Sequence, residues 1–212
     1  VDYKLNIKDN GPVASLSSVG SQFLPLSFWY PTPNSWFFTK GADMAPVRIK
    51  VTAPSGMQVI SAGTESAGAF DQKLAIQPFF VAGDWNVSDR TGVSLHLPKG
   101  VSTDWQRIGN ELADLFLQAR TFCESFLGKP TDVRLKIVST RRGAGFSSAG
   151  TVLVDEAVFR RAKIDSLTAM NIAEAAAKLW LGGSLVVNGE GYGVITEGMA
   201  RYLATEFIES KF

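Results

Sequence analysis

The sequence predicts an α+β protein in two parts: an antiparallel β domain over 1–98, then strands and helices sharing a core over 99–212. Three observations predict it. Through residue 98 the apolar runs are short and stop at Gly or Pro, and prolines at 25, 31, 33, 46, 54 and 78 exclude long helices. From about residue 101 the apolar spacing changes to that of amphipathic helices. Between the helical stretches lie two alternating, β-branched runs.

Taken in order, "VRIKVTAPSGMQVISAG" (47–63) predicts a strand through Val47, Ile49 and Val51, a turn at "PSG", and a second strand through Val59 and Ser61. "KLAIQPFFVAGDWNV" (73–87) and "GVSLHLPKG" (92–100) predict further short strands. Thr103 and Gln106 have the spacing of a capping box, and Ile108, Leu112, Leu115, Phe116, Ala119, Phe122 and Phe126 form the apolar stripe of a long helix ended by Gly128 and Pro130. Val133, Leu135 and Ile137 predict a strand, as does "TVLVDE" (151–156). Ser166 is placed to cap a helix that closes at Gly182-Gly183, and a last helix runs from about Ile195 to Ile208 with Ile195, Met199, Leu203 and Phe207 inward.

The 212 residues are 45% hydrophobic and 19% charged, enough apolar material for a sizeable core. A net charge of +1 provides no footprint for nucleic acid or an anionic membrane, so Arg141-Arg142 and Arg160-Arg161 read as solvated faces. The aromatic group "FWYPTPNSWFF" (28–38) lacks the interleaved Lys or Arg of a base-stacking surface and reads as packing and edge protection. Cys123 is the single cysteine, so no intrachain disulfide forms, and the compartment stays open. No apolar run reaches the roughly 18 residues of a membrane span. The abrupt start at Val1 and stop at Phe212 read as those of a piece of a longer chain, whose other parts are then its partners.

One stretch conflicts with its own pattern. "NIAEAAAKLWLGG" (171–183) is helical, yet Glu174 and Lys178 share a stripe with Leu167, Met170 and Leu181. Two charges therefore point where a core is expected.

The pattern resembles the aminopeptidase N and leukotriene A hydrolase family of gluzincin zinc peptidases with its chemistry removed. Those enzymes carry H-E-x-x-H on one helix, where histidines at i and i+4 reach one zinc and the Glu between them is the general base. "IAEAAAKLWLGG" matches that frame with Trp180 and Gly182 in place, Glu174 and Lys178 at the two histidine positions, and Ala175 at the catalytic glutamate. Eighteen residues separate Lys178 from Glu197, and "EGMARY" (197–202) matches the segment that holds the third zinc ligand. "GAGFSSAGTVLVDE" (143–156) falls where the family has the strand that binds a peptide's amino end, here with Ser147 and Ser148 in place of the carboxylate. The resemblance implies the second half of a β domain joined to the first part of a thermolysin-like domain. The family's transition-state tyrosine lies farther beyond the ligand Glu than the residues that follow Glu197.

By that resemblance the metal-site positions Glu174, Ala175, Lys178 and Glu197 are degenerate, no zinc or other cofactor is expected, and no residue is catalytic. The function implied is that of a pseudopeptidase: a scaffold, or a binder of peptide or protein at an edge strand around Gly145, Phe146, Ser147 and Ser148. The alternative is an active metallopeptidase that uses missing segments or unusual ligands. Lys178 is expected to replace the zinc electrostatically, its ammonium serving Glu174 and a buried Glu197. Its removal would then strand two carboxylates at about 3–5 kcal/mol.

Other nucleophiles are weaker. Cys123 reads as a packed thiol rather than half of a dyad with His96, the chain's one histidine, and no histidine is expected near Ser147 or Ser148. Gly143 and Gly145 precede a strand, unlike a phosphate loop, and Asp155 and Glu156, as strand neighbours, point to opposite faces.

Overall fold

The computed structural model describes residues 2–7, 10–27, 29–31, 46–73, 77–128, 134–143, 145–148, 150–185 and 191–211. The chain forms two compact units, Val1–Trp85 and Asn86–Phe212. The class is α+β, as the sequence predicts.

Among the described residues the first unit holds seven strands: β1 (Ala14–Ser17), β2 (Gly20–Phe23), β3 (Val47–Ile49), β4 (Gln58–Ser61), β5 (Thr64–Ser66), β6 (Ala69–Gln72) and β7 (Phe80–Gly83). They make two antiparallel sheets, ordered β1-β2-β7-β4 and β3-β6-β5. The run 47–63 does form two strands around a turn at Pro54–Met57, but they join different sheets, β3 beside β6 and β4 beside β7. Ala67 and Gly68, both at positive φ, make the two-residue turn between β5 and β6, whose twist suits a hairpin. Phe23 stacks on Phe80 at 4.9 Å and Trp29 meets Phe80 edge-on at 5.1 Å. Most of the aromatic group 28–38, like Pro130 and Val133, lies outside the described residues.

The second unit is built on a five-stranded sheet ordered β11-β12-β10-β9-β8. Its strands are β8 (Trp85–Arg90), β9 (Val93–Pro98), β10 (Leu135–Thr140), β11 (Ser147–Ser148) and β12 (Thr151–Asp155). β9, β10 and β12 are parallel to one another, and β11 returns antiparallel at the edge. The stretch 86–98, composed like the strands before it, thus pairs with the sheet of the second unit, and the units divide at 85/86 rather than at 98/99.

Among the described residues four helices belong to this unit: α1 (Thr103–Leu127), α2 (Glu156–Phe159), α3 (Ser166–Ala177) and α4 (Tyr192–Lys211). Gly128 ends α1 in the left-handed conformation, its N–H donating to the Glu124 carbonyl at 2.8 Å. The expected capping box does not form: Ser102, in extended conformation and without a side-chain cap bond, precedes the helix. Ser166 is likewise the first helical residue rather than the cap of α3. Asp165 takes that place, accepting from the Thr168 N–H at 2.8 Å, because a carboxylate outcompetes a hydroxyl beside the positive end of a helix.

The core joins Leu95, Ile108, Leu112, Phe116, Leu135, Ile137, Val152, Ile172, Leu203 and Phe207. Phe126, at the far end of the α1 stripe, is exposed. Ile195 and Met199 are exposed too, since the buried face of α4 runs through Ala200, Leu203, Ala204 and Phe207. α3 packs on both α1 and α4 and buries Ala169, Ala173, Ala176 and Ala177.

Gly143 lies in the loop that leads to β11. A methyl group there would sit 2.2 Å from the Asp155 amide nitrogen and 2.5 Å from the Val154 carbonyl carbon, both backbone atoms. Gly143→Ala is expected to lower stability by about 1–3 kcal/mol, read as a reduced urea midpoint.

Candidate functional site

α3 and α4 each carry an acid four residues before a base: Glu174 before Lys178, and Glu197 before Arg201. α3 ends at Ala177 with Lys178 as its C-cap, not at the glycines, and the Lys178 N–H still donates to the Glu174 carbonyl at 2.9 Å. The chain then turns back on itself. Ser184 and Leu185 donate to the Leu179 and Trp180 carbonyls at 3.0 and 2.6 Å, and Gly182 sits at φ +89. A Cβ on Gly183 would meet the Leu179 carbonyl oxygen at 2.3 Å, so this residue must be glycine. Trp180 and Leu181 are buried, which anchors the end of α3.

The four charged side chains meet across the helix pair. Lys178 Nζ donates to Glu174 Oε1 at 2.9 Å and to Glu197 Oε2 at 2.7 Å. Arg201 Nη1 donates to the other Glu174 oxygen, Oε2, at 3.0 Å. Exposure divides them: the side chains of Lys178 and Glu174 are 11% and 17% exposed, those of Glu197 and Arg201 66% and 51%. Burial pushes the Glu174 carboxyl up, but the hydrogen bonds and charges of Lys178 and then Arg201 outweigh it and hold the group below its ordinary range.

Two expectations change. Glu197 is not a buried carboxylate; the phase of α4, which buries Ala200, Leu203, Ala204 and Phe207, turns it outward. Leu167 is exposed as well, so only part of the stripe containing Glu174 faces the core. Arg201 was not anticipated, although its position four residues after Glu197 was a visible signal. Because Arg201 stays on Glu174 when Lys178 is lost, one shielded carboxylate is at stake rather than two.

The edge segment lies beside this cluster. β11 places Ser147 opposite Val152 and Ser148 opposite Thr151, and the Phe146 carbonyl accepts from the Leu153 N–H at 2.8 Å. Gly145, at φ +64, comes against α3: a Cβ there would lie 2.9 Å from Asn171 Nδ2. Asn171 is one helical turn before Glu174, so edge strand and charge cluster adjoin along one face of α3. Asn171 carries no sequence signal of its own; only the fold brings Gly145 to it.

Remaining candidates have structural places. Cys123 packs in the helix-side core, and burial, reinforced by Glu124, pushes its thiol up to about 12. His96 alternates with Leu95 and Leu97, so it lies on the opposite face of β9 from that core. Its Nε2 is 3.2 Å from Ser94 Oγ; burial, then Lys136, lowers its pKa to about 4 against the opposing pull of Asp89. Asp155 caps α2, accepting from the Ala157 N–H at 2.7 Å, and Glu156 pairs with Arg160 at 3.6 Å.

The donor set does not fit zinc. A metal needs lone pairs from imidazole, thiolate or carboxylate, and the Lys178 ammonium has none while it holds both acids. Ala175 contributes only a methyl group. Among the described residues, no group of three or more His, Cys, Asp or Glu is placed to hold a metal ion.

No protein-family model matches the sequence, and no curated protein matches it. Among solved structures, an aminopeptidase N family protein from Idiomarina loihiensis is similar in fold, with a TM-score of 0.61 and 14% identity over 96% of this chain. The chain spans 39% of the length of that protein. The likeness is one of fold.

Lys178→Met is expected to cost about 1–3 kcal/mol, because Glu174 keeps a single partner. Arg201→Met, at a half-exposed pair, is expected to cost about 0–1 kcal/mol. Both are read from urea midpoints.

Acid acts in two windows. His96, neutral in the fold down to about 4 against an ordinary 6.5, loses stability as the pH falls between those values. Glu174, held below its ordinary 4.5, contributes stability that is complete above that value and is lost as the pH falls through the folded one. A plot of urea midpoint against pH is expected to decline in two stages, with His96→Gln removing the upper and Glu174→Gln the lower.

Proposed function

We propose that the chain is a non-catalytic relative of the zinc aminopeptidases, retaining the scaffold and serving as a peptide- or protein-binding module. The observation that carries this reading is the Lys178 ammonium within 3 Å of carboxylates from both helices, at positions where the resemblance puts zinc ligands. A positive charge there bridges the two acids without offering a Lewis-acid centre. Ala175, buried beside it, has no lone pair with which to take a proton from water.

The binding half of the reading is supported by β11. It is a short strand at the sheet edge, whose backbone can take a further strand through main-chain hydrogen bonds. Serines there leave room for a peptide backbone and add no charge of their own.

Purified protein is expected to carry no stoichiometric zinc and to hydrolyse no aminoacyl reporter substrate in a chelator-sensitive way. Stoichiometric zinc together with such activity would overturn the reading. The triple change Glu174→His, Ala175→Glu and Lys178→His is expected to restore zinc uptake in a folded protein, measured by metal analysis after dialysis.

A further inference from the structure

We propose that Lys178 and Arg201 form a receptor for an external carboxylate, and that Glu197 is its built-in, displaceable occupant. The proposal rests on the peptide-binding reading for its ligand class. Glu174, shielded at the base of the cluster, takes one cation on each oxygen, Lys178 at 2.9 Å and Arg201 at 3.0 Å. Both cations therefore converge on one carboxylate. A second carboxylate on the solvent side can bridge the same two groups.

Glu197 already occupies half of that position. Its Oε2 lies 2.7 Å from Lys178, while the side chain is 66% exposed. An ion pair so open to water contributes little and exchanges readily. Arg201 is half exposed and meets Glu174 through Nη1, and its guanidinium is a planar fork with five N–H donors. A bridging carboxylate thus gains a charge-assisted bond from each cation, where Glu197 has its bond to Lys178. Asn171 places the strand edge one helical turn away, so a peptide added at β11 can present a carboxylate to this pair. Either a chain-terminal carboxylate or an Asp or Glu side chain has the required chemistry.

The test uses the full 212-residue chain and three acetylated Ala/Ser heptapeptides: one with a free carboxyl end, one amidated, and one amidated with an internal Asp. Binding is followed by heteronuclear NMR titration at low ionic strength. At least one acid-bearing peptide is expected to bind about tenfold or more tightly than the neutral amide, and comparing the two acid-bearing peptides identifies the source of the carboxylate. Glu197→Gln, an exposed substitution, is expected to tighten that binding about fivefold, and Arg201→Met to abolish the acid preference, with Arg201→Lys restoring part of it. Unchanged or weaker affinity in Glu197→Gln would overturn the proposal.

Ser147→Pro, which removes a backbone donor that faces away from β12, separates this proposal from the reading beneath it. Equal binding of all three peptides that is lost in Ser147→Pro overturns the carboxylate receptor and keeps the strand edge. An acid preference that survives Ser147→Pro keeps the receptor and removes the edge. No binding by any peptide overturns both.

Discussion

The Lys178 ammonium joins α3 to α4 by donating to one carboxylate on each helix. Glu174 is shielded from water on a helix otherwise lined with alanines, and Glu197 approaches from the neighbouring helix. Two carboxylates brought this close would repel, and burial alone would favour a neutral acid. One amine shared between them, with Arg201 behind, removes the repulsion and satisfies both oxygens of Glu174. The cost of shielding Glu174 and Lys178 is met by the charge-assisted hydrogen bonds that each of them makes, the condition under which shielded ion pairs persist.

The sequence made part of this visible. The link from Glu174 to Lys178 is local, four residues along one helix, and helical spacing alone predicts it. The span to Glu197 was legible only through the interval of eighteen residues that the family resemblance supplies. How far Glu197 is exposed was not legible, because it depends on the rotation of α4, which tertiary packing decides. The apolar residues Ile195 and Met199 pointed to a different rotation. Where short polar residues compete to cap a helix, as Ser166 and Asp165 do, pattern alone does not choose the winner. The place where one unit gives way to the next was hidden for another reason: β8 and β9 are composed like the strands before them, and their sheet is completed by β10, more than thirty residues later.

Trp180, Gly182 and Gly183 terminate α3 in a packed turn, and the edge strand returns beside that helix. These features need only backbone geometry and apolar burial. The charges beside them are side-chain properties of four positions, two acids and two bases, joined across the helix pair. Backbone frame and charge set are thus specified by different residues of the same segment.

The buried alanines of α3 and α4 also tie the charge cluster to the core. A methyl group has no rotamers with which to absorb a misfit, so a larger side chain at Ala173 or Ala200, both almost fully buried, has to be accommodated by movement of the backbone. The same two helices carry Glu174, Glu197 and Arg201, with Lys178 at the end of α3, so such movement is passed on to their ion pairs. Electrostatic tuning in this region can therefore be inherited through apolar positions.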